Sequence, residues 1–378
     1  MSDTNIVNNA DSILSNFVES GASDCYLTIG SSPMLRIHDE IKEQNNYKLN
    51  QTDIENILKS LLTEDAILEF ESTLEYNTAI VWNNMRFRIN VCRQRKSTSA
   101  VLRRIRTQIP TLEELKLPKI YGDLILEKRG LILLVGGTGT GKSSSLAAML
   151  DHRNKNGSGH IITVEDPIEF IHENNKCLFT QRDVGIDTYS FGIALKNALR
   201  QTPDVIVIGE ICDRESMEHA ITFSETGHLC IATLHANNAN QTIDRILNFF
   251  PEERHKNILL NLSLNLKSII SQRLALNTIG KNVLAVEIML NKGIIHDLIA
   301  EGRVKEIREH IEKGYDVGMC TFDQYLFELY KNGAVSEKIA LAESDNPTNL
   351  RLIIKQHEMN NNNIVSAEIQ DKIKKSQF

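Results

Sequence analysis

Residues Leu131–Ser145 read LILLVGGTGTGKSSS, five apolar residues running into a glycine-rich turn, and Leu146, Ala147, Ala148, Met149 and Leu150 continue from it as a helix. Gly136, four residues, then Gly141-Lys142-Ser143 satisfies the phosphate-binding loop pattern. A triphosphate is held by backbone N–H groups converging on it, so side chains must be absent where the chain wraps it. The run Gly136, Gly137, Thr138, Gly139, Thr140, Gly141 meets that need. The helix opening at Lys142, Ser143 and Ser144 then aims its free amides at the same anion. On this reading Lys142 reaches the β and γ phosphates, and the Ser143 hydroxyl ligates Mg²⁺.

From Leu131 onward hydrophobic strands alternate with helices, the pattern of a mostly parallel α/β sheet. Strands are expected at Leu131–Val135, Ile161–Val164, Val205–Ile208, Leu229–Thr233 and Val283–Glu287. Helices are expected between them at Ser143–Arg153, Phe191–Leu199, Ser216–Glu225 and Asn240–Leu247. Short amphipathic helices follow at Ile294–Ala300, Val304–Lys313, Thr321–Tyr330 and Ser336–Leu341. Upstream, Ile6, Val7, Ile13, Leu14, Phe17 and Val18 keep a helical period that Gly21 ends. Strands at Cys25–Ile29, Met34–Ile37, Thr78–Trp82, Met85–Cys92 and Ala100–Ile105, with a helix at Thr52–Leu62, indicate a smaller α+β domain. The expected organisation is an amino-terminal domain over 1–106 and a linker over 107–122, marked by Ile109-Pro110 and LPKIYGD. An ATPase core over 123–290, a helical region over 291–358 and an asparagine-bearing tail over 359–378 complete it.

The chain has 378 residues, 41% apolar and 24% charged, as in globular proteins. A net charge of -7 and a pI near 5.9 speak against a broad nucleic-acid-binding surface. The six cysteines include no CxxC pair, which fits reduced thiols and gives neither a zinc site nor a disulfide framework. No run reaches the roughly 20 apolar residues of a spanning helix, and no leader segment is expected.

Three further stretches carry chemistry. Thr163-Val164-Glu165-Asp166-Pro167-Ile168-Glu169 delivers carboxylates at the end of a strand, where parallel sheets bind ligands. Glu165 is placed to position Mg²⁺ or water. Asp204–Glu210 (DVIVIGE) is a hydrophobic strand ending in a carboxylate. The usual metal-holding aspartate position is Gly209, which leaves Glu210 to orient and deprotonate an attacking water and to share the ion's hydration shell. His228 and His235 flank the strand Leu229–Thr233, with His235 at its carboxyl end, on the nucleotide side. A basic cluster closes the first domain: Arg86, Arg88, Arg93, Arg95, Lys96, Arg103, Arg104 and Arg106. The alternation Arg86-Phe87-Arg88-Ile89 puts two arginines on one strand face. They read either as a solvated face or as arginines that complete a nucleotide site on a neighbouring subunit.

Together these boxes resemble the secretion-ATPase superfamily, with its Walker A, Asp box, atypical Walker B and His box. More narrowly, the chain is similar to the type IV pilus retraction ATPases of the PilT/PilU family over roughly residues 6–356. The matching strings are GASD, RFRIN, GTGKS, GHIITVEDPIEFIHE, ALKNALRQTPDVIVIGE, ETGHL, ATLHANNANQTIDRILNFFPEER, and ISQRLA, assigned to the carboxyl-terminal helices. DHRNKNGSGH, DRESMEHA and HANNANQ lean toward the PilU side.

The resemblance implies a PAS-like domain before a RecA-like P-loop ATPase domain and a helical segment, assembled as a homohexameric ring. It implies ATP and Mg²⁺ as ligands, with ATP between the two domains. Lys142 and Ser143 would bind nucleotide and metal, Glu165 would assist, Glu210 would be the base and His235 would sense the γ-phosphate. Arg88, Arg95 and Arg103 would reach the site from a neighbouring subunit. The implied partners are a PilT-type ring and an inner-membrane pilus platform protein, with no direct nucleic-acid contact, for a cytoplasmic protein peripheral at the inner membrane. The output would be pilus retraction, twitching motility and DNA uptake.

Two departures stand out. Cys212 occupies the family's arginine position ahead of Asp213, and Ile294-Ile295-His296-Asp297-Leu298-Ile299 replaces the PilT string AIRNLI, as in a PilU-like accessory motor. Competing readings are a pilus-assembly or type II secretion ATPase, against which the missing CxxC pairs count, and a nucleotide-binding ring subunit with weak turnover. A RecA-like DNA helicase is a third, opposed by the acidic pI and the lack of an aromatic-basic platform.

Overall fold

The computed structural model describes residues 9–37, 40–105 and 108–359. The expectations placed on Ile6, Val7, Arg106 and the tail from residue 360 lie outside the described residues. The chain forms two compact units. One is built on the chain up to Ile109 with Asp166–His172 and Gln181–Ala194; the other takes Pro110–Glu165, Glu173–Thr180 and the chain from Leu195.

In the first unit, α1 (Ala10–Glu19) starts where the Asn9 side chain accepts from Ser12 N–H, and it buries Ala10, Ile13, Leu14 and Phe17 at helical spacing. Then come β1 (Asp24–Thr28), β2 (Met34–Ile37), β3 (Glu40–Glu43), α2 (Gln51–Leu61), α3 (Glu64–Thr73), β4 (Glu75–Trp82), β5 (Met85–Gln94) and β6 (Ser97–Arg104). The strands form one antiparallel sheet, ordered β3-β2-β1-β6-β5-β4. Its inner face packs Cys25, Leu27, Phe87, Ile89, Val91 and Leu102 with Phe17, Ile54 and Phe70 of the helices. Alternation sends Arg86, Arg88 and Arg103 to the opposite face. Arg95 and Lys96, both at positive φ (50° and 67°), make the tight β5–β6 turn.

The second unit begins with α4 (Ile120–Ile125), β7 (Gly130–Val135), α5 (Lys142–Asn156), β8 (Gly159–Glu165) and the first part of β9 (Cys177–Asp183), while Gln181–Asp183 and the start of α6 (Phe191–Ala198), up to Ala194, group with the first unit. The second unit goes on through β10 (Val205–Ile208), α7 (Arg214–Glu225), β11 (Leu229–Leu234), α8 (Ala239–Asn248), α9 (Glu252–Asn265), β12 (Leu266–Leu276) and β13 (Asn282–Leu290). The sheet order is β13-β12-β7-β11-β10-β8-β9. The β12–β7, β7–β11, β11–β10 and β10–β8 pairs are parallel, and β12–β13 is antiparallel. Every residue of β7, β10 and β11 is buried, so β7 and β10 read as unbroken apolar runs and β11 is interrupted only at Thr233. Helices α10 (Ile294–Ala300), α11 (Ile307–Lys313), α12 (Phe322–Lys331) and α13 (Glu337–Glu343) follow, and residues 347–359 are helical. Phe322, Leu326, Ala340, Leu350 and Ile354 pack with Ala275 and Ala285 of β12 and β13.

One expectation is corrected. ISQRLA is not helical: Ile270–Ala275 lies inside β12, beside the strand that feeds the phosphate loop. Its Ser271, Gln272 and Arg273 break the apolar run that otherwise marks a buried strand, and their polar groups find partners in the fold.

Candidate active site

The carboxyl ends of β7, β8, β10 and β11 deliver, in turn, the Gly136–Ser143 loop, Glu165, Gly209-Glu210 and His235 to one edge of the sheet, the ligand side of a parallel sheet. Gly139 and Gly141 sit at φ 77° and 86°, a region that side chains rarely tolerate. A Cβ on Gly136 would lie 2.6 Å from the Gln272 carbonyl oxygen and 2.6 Å from Thr140 Oγ1. Thr140 Oγ1 donates to the Gly137 carbonyl at 2.9 Å. The Lys142 ammonium donates to the carbonyls of Gly136 and Gly137, both at 2.8 Å, which holds it inside the loop. Lys142 and Ser143 open α5, a 15-residue helix whose amino end points its amides into the same loop. A cradle free of side chains, a lysine folded over it and a helix amino terminus fit a phosphate chain. Among the described residues no group of three or more His, Cys, Asp or Glu could hold a metal ion. The Ser143 hydroxyl at the head of α5 is an oxygen donor of the kind that Mg²⁺ takes.

Thr163 Oγ1 donates to Glu165 Oε1 at 2.6 Å, which orients that carboxylate at the end of β8. Gly209 N–H donates to the Val164 carbonyl at 2.7 Å, and Thr233 Oγ1 donates to the Gly209 carbonyl at 2.6 Å. A Cβ on Gly209 would stand 3.0 Å from Glu165 Cα and 3.1 Å from the Val164 oxygen. That approach is tighter than most side chains meet, so a glycine suits the place of an ordinary Walker B aspartate, and the carboxylate is carried one residue on. Glu210 Oε1 is 3.2 Å from His235 Nε2, and His235 Nδ1 is 3.2 Å from the Gly136 carbonyl oxygen. Loop, carboxylate and imidazole thus form one connected set. A cleft of about 410 Å³ opens beside them, lined by Gly136, Gly137, His235, Asn237, Gln241 and Arg245 among others.

Residues 2–286 match the family model described as type II/IV secretion system protein. The type IV pilus ATPase PilU of Pseudomonas aeruginosa is 48% identical over 91% of each chain. The pilus retraction ATPase PilT of that organism is 39% identical over 87% of this chain and 96% of its own. A crystal structure of the pilus retraction motor PilT with bound ADP superposes with a TM-score of 0.84 at 38% identity, covering 90% of this chain and 98% of that one. The chain belongs to the PilT/PilU family of pilus ATPases.

In this PilT/PilU-family chain, the arginines singled out in the sequence separate. Arg88 and Arg103 are direct cross-strand partners on β5 and β6. Like charges so placed repel, and each has an acid within the same unit. Arg88 Nη2 is 3.6 Å from Asp166, and Arg103 Nε donates to Asp24 at 2.8 Å. Asp24, in the GASD string, also lies 3.7 Å from Arg36 and is nearly covered. Arg95 stands apart at the β5–β6 turn, seven residues from Arg88 and so about 20 Å along the strand. His228 lies at the opposite end of β11 from His235 and meets Thr226 Oγ1 at 3.0 Å. Cys212 is exposed, and Asp213 caps α7 through Ser216 N–H at 2.8 Å; the bond from the Ser216 hydroxyl, and after it the one from Ser216 N–H, holds its carboxyl below the usual range. Sequence reasoning missed the roles of Gln272, Arg273 and Glu287. The quoted string ISQRLA, polar in the middle of an apolar segment, was the available signal.

Proposed function

We propose that this chain is the ATP-hydrolysing motor of type IV pilus retraction, working as a homohexameric ring in the cytoplasm at the inner membrane. The observation that carries the reading is the Glu210–His235–Gly136 chain of contacts at the phosphate loop. Lys142 and the loop amides take the β and γ phosphates. The Glu210 carboxylate accepts a proton from water, the water oxygen bonds to the γ-phosphorus, and the bond to the β–γ bridging oxygen breaks to leave ADP and phosphate. His235, in contact with Glu210 and with the loop, reports on the terminal phosphate. Ser143 and Glu210 would hold Mg²⁺, which when bound would supply positive charge against the phosphates. Glu165 orients water beside Thr163. Arg88, Arg103 and Arg95 are the candidates to reach a neighbouring subunit's nucleotide.

The IIHDLI segment at the head of α10 in place of AIRNLI, together with the likeness to PilU, supports an accessory motor that acts with a PilT-type ring on an inner-membrane platform protein. The test is ATP turnover of the purified chain, alone and mixed with a PilT-type ring, beside a strain lacking the gene. Turnover, with a hyperpiliated and immotile strain, is expected. A bald strain would indicate pilus assembly instead, and no turnover in either mixture would leave a nucleotide-binding ring subunit.

A further inference from the structure

β12 runs parallel to β7, the strand that feeds the phosphate loop, with Ser271 opposite Val135. The two residues after that pair, Gln272 and Arg273, project to opposite faces of the strand. Each ends on a different part of the site. Gln272 is 1% exposed, and its amide nitrogen donates to Ser145 Oγ at 2.8 Å and to Tyr121 Oη at 3.0 Å, both hydroxyls buried as well. Ser145 is in the first turn of α5, three residues past Lys142. The carbonyl of Gln272 faces Gly136 so closely that only glycine fits there. Strand, loop and helix are therefore joined at a single residue.

On the other face, Arg273 Nη2 reaches the Asn237 carbonyl at 3.4 Å, two residues past His235. That guanidinium is fixed from behind by Asp345 at 2.5 Å and by the Glu343 carbonyl at 2.7 Å, and it stacks over Phe322 at 3.9 Å. A buried group grips the end of the same loop, where α8 begins, since Glu287 Oε1 accepts from Ala239 N–H at 2.8 Å. The His235 loop is thus held at Asn237 and at Ala239, and its holder Arg273 is tied to the carboxyl-terminal region.

We infer that Gln272 and Arg273 are positioning residues that set the two halves of the nucleotide site from one strand. Gln272 sets the α5 turn that carries Lys142 and Ser143. Arg273 sets the loop that carries His235 and links its placement to residues 343–345. The Arg273 half rests on the reading of His235 as the group that acts with Glu210. The Gln272 half rests only on binding at the phosphate loop.

The experiment measures affinity for a fluorescent ADP, kcat for ATP and Tm on the full chain. Gln272→Leu is expected to weaken ADP binding by about tenfold or more, the scale on which displaced site groups cost function. Ser145→Ala should do the same, and the double variant should be no worse than either single one. Arg273→Lys, which keeps the charge but not the fork, and Asp345→Asn should lower kcat by about tenfold at unchanged ADP affinity. Adding His235→Ala should then cost little more. Affinity and kcat falling together in step with Tm in all four variants would reduce the pair to a structural role and overturn the inference. So would unchanged ADP affinity in Gln272→Leu. If His235→Ala alone leaves kcat intact, the His235 reading fails and the Arg273 half with it, whereas the Gln272 half is still decided by ADP affinity. If His235→Ala lowers kcat and Arg273→Lys does not, only the Arg273 half fails.

Discussion

Glu210 Oε1 stands 3.2 Å from His235 Nε2. The ring's other nitrogen faces the Gly136 carbonyl, so the imidazole lies between two acceptors and can donate to both only when both nitrogens carry hydrogen. The phosphate loop, the imidazole and the base are therefore linked in position. Glu210→Gln keeps the shape and removes the proton acceptor. It is expected to bind ADP as the parent does and to lose about 100- to 10,000-fold in kcat, the range of general-base effects. Single-turnover hydrolysis beside ADP titration checks this, and a variant that still turns over at the parental rate would remove Glu210 as base.

Gly209 occupies the position where many P-loop enzymes hold an aspartate, and restoring that aspartate tests the packing. With a Cβ 3.0 Å from Glu165 Cα, Gly209→Asp must push β10 and β8 apart at their carboxyl ends. A loss of about 1–3 kcal/mol in stability is expected. Gly209→Ala should show most of that loss, because the clash is at Cβ. Denaturant melts of the two variants decide it: a parental melt for Gly209→Ala would mean that the glycine is not required by space.

Much of this site is legible in the sequence because its parts are local. The phosphate loop is one stretch with its strand and helix attached, and β7, β10 and, Thr233 apart, β11 are apolar because both faces are covered. Glu165, Glu210 and His235 are readable as residues that end such strands. What brings them together is not local: the His235–Gly136 contact spans 99 positions of chain. β12 escaped notice because Ser268, Ser271, Gln272 and Arg273 interrupt it. In the fold these groups are buried or half-buried with partners, Ser268 Oγ donating to the Met289 carbonyl at 2.8 Å. Polar residues satisfied by distant groups look from the sequence alone like a break in the strand. The basic cluster was visible as charge, but the division between Arg88 and Arg103 as partners and Arg95 at a turn follows from strand register.

Asp24 makes a stability prediction for the first unit. Its side chain, 5% exposed, holds Arg103 at 2.8 Å and Arg36 at 3.7 Å and accepts from Ser23 Oγ at 2.8 Å. Asp24→Asn keeps the volume and leaves two guanidiniums across the strands without their shared anion. Both arginines retain access to water, so the cost is set at about 1–3 kcal/mol, below that of breaking a fully buried pair. Thermal melts at low and high salt test it, and a parental melt at both would dismiss the cluster as a stabilising feature.

Glu287 gives the pH dependence of the second unit. The side chain is 2% exposed, and burial pushes its carboxyl up from the ordinary glutamate value to about 7. Asp345 adds to that rise, while the Ala239 N–H, Arg308 and Arg273 oppose it. Between the ordinary value and about 7 the folded chain therefore holds a proton on Glu287 that the unfolded chain has released. Stability falls as pH rises through that window, because ionising the buried group becomes an increasing cost of staying folded. Glu287→Gln keeps an acceptor for Ala239 N–H and has nothing to ionise. Relative to the parent, its Tm is expected to be unchanged or lower near pH 4.5 and to gain steadily up to about pH 7.5, by the equivalent of roughly 3 kcal/mol across the window. The gain should stop above that pH, where the parent's carboxyl is already charged. Melts of both proteins across pH 4.5–8.5 provide the comparison; two curves that run parallel throughout would show that Glu287 does not titrate in the fold, and a Gln variant that loses ground as pH rises would show that its charge is welcome among Arg273 and Arg308.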